Sequence, residues 1–93
     1  MNKNKLRQAR NKVDQLDQKI FNLIKKRTQI VKYMLNLKKY KKEIIDHKRN
    51  NEILSKIKKK SIKNSIDPQL TKRIWQAIIW SYVDFQKRNF KKK

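Results

Sequence analysis

The chain has 93 residues, a formal charge of +21, no Gly, no Cys and a single Pro. That length suits one domain, 1–93, and an all-helical core of this size needs support from a partner chain. Without Gly there is nothing to build glycine-cradled phosphate loops or tight hairpins, so P-loop and dinucleotide-binding classes are excluded. Without Cys there is no disulfide framework or thiolate metal site, and the lone His47 cannot hold zinc by itself.

The first residues, MNKNKLRQAR, carry no apolar signal segment, and no run reaches the roughly 18 apolar residues of a membrane span. A cytoplasmic protein without membrane association is expected. The positive charge invites a nucleic-acid reading. Its lysines, however, are spread over all the helical segments instead of forming one stripe, and no recognition-helix or stacking motif accompanies runs such as Lys58–Lys60. The joint excess of Lys, Ile and Asn is what an AT-biased coding sequence produces, so nucleic acid is an unlikely partner on this pattern.

From Leu6 to Leu37, Val13, Leu16, Ile20, Leu23, Ile30, Met34 and Leu37 recur at helical spacing without an intervening Pro or Gly. This predicts one helix over about 5–39, whose length of roughly 50 Å outruns what two shorter helices can cover. A Lys-rich break follows. Asp46 is a suitable cap for a second helix over about 46–62, with Ile53, Leu54 and Ile57 inward. After a short loop, Asp67-Pro68 starts a third helix over about 68–90. Its inward stripe is read as Leu70, Ile74, Ala77, Ile78 and Phe85, flanked by Trp75, Ile79, Tyr82 and Phe90. Trp80 shares a face with Arg73, Gln76, Asp84 and Lys87 and suits a subunit contact. A catalysis-free coiled-coil module is a further reading of the long first helix.

Against that module, Arg27 stands among Leu23, Ile30 and Met34, on the apolar side of the first helix. A guanidinium buried there needs an anionic partner, because an unpaired buried charge costs several kcal/mol. Lys38, Arg10 and Arg49 keep helical spacing with apolar neighbours in the same way. Seven acidic residues cannot neutralise this set from helix ends and polar faces. A small dicarboxylate would supply the missing charge, and Gln86, four residues after Tyr82, adds a neutral donor. His47, in a charged helix start, reads as solvated.

These residues resemble the all-helical chorismate mutases over most of the chain. LRQARNKVDQLDQKIFNLIKKR is similar to that family's first helix, Lys38 follows Arg27 by eleven residues, Asp46 and Arg49 match the second helix, and IIWSYVDFQ matches the third. The resemblance implies an intertwined homodimer of three-helix chains with two shared sites, each completed by Arg10 of the other subunit. It implies substrate contacts from Arg10, Arg27, Lys38, Asp46, Arg49, Asn50, Tyr82 and Gln86, with Arg27, Lys38 and Gln86 as the catalytic group. No cofactor or metal is implied. The activity would be chorismate to prephenate, within the shikimate pathway toward phenylalanine and tyrosine. Two departures point to a second branch: Asn50 stands where the mutases place a Glu, and Tyr82 where they place a small Ser. Both resemble the isochorismate-pyruvate lyases, which form salicylate and pyruvate.

Overall fold

The computed structural model describes residues 2–91. It is built of α1 (Lys3–Leu37), a short 3-10 turn (Lys41–Glu43), α2 (His47–Lys63) and α3 (Pro68–Asn89), with no strand among the described residues. The three helices of the sequence reading are present. The chain divides into two compact units, the first ending at Tyr33 and the second beginning at Met34.

In the first unit, the face of α1 that is covered differs from the expected one. Val31 is buried and Ile24, Arg27 and Thr28 are half-buried, whereas Val13, Leu16, Ile20, Leu23 and Ile30 are all more than half exposed. The covered positions are shifted by one residue, or about 100° around the helix. This segment therefore carries two adjacent apolar faces, and periodicity alone cannot tell which of them a neighbour covers. Arg27 keeps helical spacing with both.

The second unit is organised by local chemistry that the sequence announces. Asp46 caps α2 by accepting from the Arg49 N–H at 2.9 Å, and Asp67 caps α3 by accepting from the Gln69 N–H at 2.9 Å, with Pro68 in the first turn. Between them, α2 ends with Ser65 in the left-handed region, φ 57°, and the Ile66 N–H reaches back to the Ser61 carbonyl at 2.9 Å. This is the reversal that usually employs glycine, and the chain has none.

Helices α2 and α3 pack on one another. Buried Ser61 and half-buried Thr71 share a hydroxyl–hydroxyl hydrogen bond of 2.7 Å that sets their register near the loop. Counting outward from that pair along antiparallel helices, Asn50 comes level with Tyr82 and Asp46 with Gln86. The candidate positions on both helices thus gather at the open end of the hairpin.

That end is closed by a small apolar cluster. Leu35 near the end of α1, Ile44 after the 3-10 turn and Val83 on α3 are each less than a tenth exposed, with Ile45 and Phe90 packed against them. On α3 the buried face is therefore Ile79, Val83 and Gln86, while Leu70 and Ile74 of the expected inward stripe are 53% and 43% exposed and Ala77 is also exposed. The reason is that α3 meets α2 and the 43–45 segment along one edge, which selects the flanking stripe.

Two stability outcomes follow from this packing. Ile44→Ala removes the central plug and should cost about 2–5 kcal/mol in chemical denaturation. Ser65→Gly relieves a left-handed non-glycine residue and should gain roughly 1 kcal/mol, measured the same way.

Candidate active site

Lys38 is the hub of the second unit's polar residues. The sequence reading carried α1 through this position, but the helix stops at Leu37, and the Lys38 N–H makes a tighter last-turn bond to the Leu35 carbonyl at 3.1 Å. Leaving the helix there, the half-buried Lys38 side chain donates from Nζ to Oε1 of buried Gln86 at 2.7 Å, across 48 residues of sequence. Gln86 is fixed in turn by its Nε2, which donates to the Tyr82 carbonyl at 3.2 Å. The carboxamide oxygen thus faces the ammonium while its nitrogen is tied to the helix. An ammonium has three protons, and two remain for other acceptors such as a bound anion.

Burial lowers the proton affinity of Lys38 below the ordinary lysine value of 10.5, with the carboxylates of Glu43 and then Asp46 acting in the opposite direction. The site thus holds a cation that desolvation disfavours. Glu43 is itself held below its ordinary 4.5, chiefly by the Tyr40 N–H, with the Lys39 N–H and the charges of Lys42 and Lys38 adding to it and partial desolvation opposing. The sequence reading placed Glu43 at the end of the Lys-rich break and among the seven acids at helix ends and on polar faces. Its signal was present, because an acid three residues after the start of a turn is the reciprocal half of a capping box.

The other candidates are distributed as follows. Asp46 has Oδ1 engaged as the cap of α2, and Arg49 contributes its backbone N–H to that cap while its side chain is exposed. Asn50 is half-buried, and its Nδ2 is shielded from solvent without a hydrogen-bond partner, a donor that costs stability unless a ligand or neighbour satisfies it. Tyr82 is half-buried and meets Phe85 edge-to-face at 6.3 Å between ring centroids. Arg10 and Arg27 belong to the first unit, where Arg10 is exposed and Arg27 half-buried. Of the four cations expected to face inward, then, Arg10 and Arg49 are exposed within the single chain.

A model of the chorismate mutase type II family matches residues 9–87, which include every one of these positions. The chain belongs to that family. Its all-helical architecture is the one observed, and its chemistry is chorismate mutase-type, acting on a small molecule. No curated protein and no solved structure matches the chain significantly. Among the described residues no helix is long and apolar enough to cross a membrane.

For a family member, the energetics of the Lys38–Gln86 pair are informative. Folding disfavours the charged form of Lys38, so this group's contribution to stability rises as pH climbs from its lowered folded value to 10.5 and then levels off. A Gln86→Leu variant leaves the ammonium without its carbonyl and should lose about 1–3 kcal/mol in chemical denaturation at neutral pH. The double variant Lys38→Met with Gln86→Leu removes both polar groups, and its denaturation midpoint should equal or exceed the parent's.

Proposed function

We propose that the protein is a chorismate mutase, converting chorismate to prephenate in the biosynthesis of phenylalanine and tyrosine. The observation that carries this reading is the half-buried Lys38 ammonium held against the Gln86 carboxamide inside a chain of this family. The rearrangement is pericyclic: one C–O bond breaks as one C–C bond forms, and no nucleophile or proton transfer is required. What accelerates it is restraint of the compact conformer and stabilisation of negative charge on the ether oxygen as the C–O bond breaks.

In this reading Lys38 directs a free N–H at the ether oxygen. Gln86 fixes that ammonium through its oxygen, and the Nε2 proton not given to the Tyr82 carbonyl is its donor to the same region. Arg27, eleven residues before Lys38 in the sequence, pairs with a substrate carboxylate. Asp46, Arg49 and Asn50 form the wall contributed by α2, and Tyr82 the wall contributed by α3. The exposed stripe of Val13, Leu16, Ile20 and Leu23 supports a homodimer in which a second copy covers α1 and contributes its Arg10 to the site. In that assembly the chain forms one domain, acting in the cytoplasm, and no cofactor is needed.

Asn50 and Tyr82 favour a second reaction on the same scaffold, the elimination of pyruvate from isochorismate to leave salicylate. Isochorismate has no C4 hydroxyl, so an acidic acceptor at position 50 is not required for it. The purified protein should be given each substrate separately and the products identified. Prephenate from chorismate as the faster reaction is the expected outcome; faster release of salicylate and pyruvate from isochorismate would make the protein a lyase, and turnover of neither would overturn both readings.

Arg27→Ala should lower kcat/KM by about a hundredfold or more with helical content retained. Mixing inactive Arg10→Ala and Arg27→Ala chains should restore roughly a quarter of the parental activity, because only mixed dimers carry a complete site, and only one each.

A further inference from the structure

The connection between α1 and α2 is built around one carboxylate. Oε2 of Glu43 accepts from the Lys39 N–H at 2.7 Å and from the Tyr40 N–H at 3.0 Å, the two backbone groups that immediately follow Lys38. The Glu43 N–H in turn bonds to the Tyr40 carbonyl at 3.0 Å, and Ile44, the next residue, is buried in one cluster with Leu35 and Val83. The Glu43 side chain is exposed, and it contributes to no apolar packing. A carboxylate accepts these backbone bonds more strongly than a neutral oxygen does, and it has a second reason to stand here.

That reason is the ammonium one residue away from the turn. Lys38 is partly withdrawn from water and touches a neutral carboxamide, which accepts a hydrogen bond but offers no compensating charge. The groups that act on it are Glu43 from the turn, Asp46 from the start of α2 and Gln86 from α3. Asp46 is occupied as the cap of α2. Lys41, Lys42 and Lys87 line a depression with Ile45, and Lys42 lies over the Tyr40 ring at 5.5 Å. In a chain of charge +21, negative charge close to Lys38 is scarce.

We propose that Glu43 is a positioning residue for Lys38, closing the turn that follows it and setting in that turn a carboxylate charge that steadies its ammonium against Gln86. The catalytic consequence rests on the mutase or lyase reading above, while the link between Glu43 and Lys38 does not. Glu43 acts across solvent, so its influence is screened by salt, whereas the backbone bonds that it accepts depend on salt much less. Charge and shape can therefore be separated experimentally. Glu43→Gln keeps an acceptor oxygen for Lys39 and Tyr40, with weaker bonds, and removes the charge; Glu43→Asp keeps the charge on a shorter arm.

The test follows Lys38 directly. Protein carrying lysine labelled with carbon-13 at Cε is titrated by NMR at low salt, with the Lys38 resonance assigned by its loss in Lys38→Arg. In Glu43→Gln, Lys38 should deprotonate at lower pH than in the parent, Glu43→Asp should recover most of that shift, and about 1 M salt should shrink the difference between parent and Glu43→Gln. Where the parent turns over substrate, the alkaline limb of its kcat/KM profile should move to lower pH in Glu43→Gln by the same amount. An unchanged Lys38 titration in Glu43→Gln, with the helical content of the parent retained, would overturn the proposal. A shifted titration in a protein that converts neither substrate would uphold the Glu43–Lys38 link and remove the catalytic reading alone.

Discussion

The packing of Ile44 with Leu35 and Val83 is the constraint on which the second unit depends. It fastens the end of α1 and the segment before α2 to the last turns of α3. Three residues beyond Leu35 stands Lys38, and three beyond Val83 stands Gln86, so the apolar plug and the polar pair are consecutive layers of the same junction. A hydrogen bond across 48 residues is entropically demanding to organise by itself. Here the burial of three aliphatic side chains bears that cost, and the polar contact is held with little further ordering.

The junction retains a charge that folding alone would not choose. An ammonium against a neutral carboxamide is weaker than an ion pair, and burial opposes its charged state. An apolar pair of the same size would pack as well or better. Such locally unfavourable arrangements are characteristic of sites shaped by a ligand, because the bound anion completes them. The shielded, unpartnered Nδ2 of Asn50 belongs to the same description. In both cases a polar group sits where the protein has withdrawn it from water without a matching charge or partner of full strength.

The long helix shows the same incompleteness on an apolar scale. No large side chain among the described residues is fully buried, and α1 leaves Val13, Leu16, Ile20, Phe21 and Leu23 more than half exposed. The second apolar face explains why so short a chain can invest 35 residues in one helix. An apolar stripe of that extent costs solubility unless covered, and the chain's high positive charge offsets that cost.

The sequence by itself determined the three helices, the caps Asp46 and Asp67 and the unusual placement of Arg27, since each rests on spacing and on side chains within a few residues. Family membership was legible for the same reason, in the ordered separations of Arg10, Arg27, Lys38, Arg49 and Gln86. Only the tertiary structure decided that α1 ends one residue before Lys38, that Lys38 meets Gln86, that Ile44 is a core residue and that α3 buries Ile79 and Val83 in place of Leu70 and Ile74. Periodicity identifies apolar faces, but a helix with two such faces gives no local preference between them. The choice is made by which neighbour arrives, and that depends on turns and long-range contacts whose free energy is not written in any one segment.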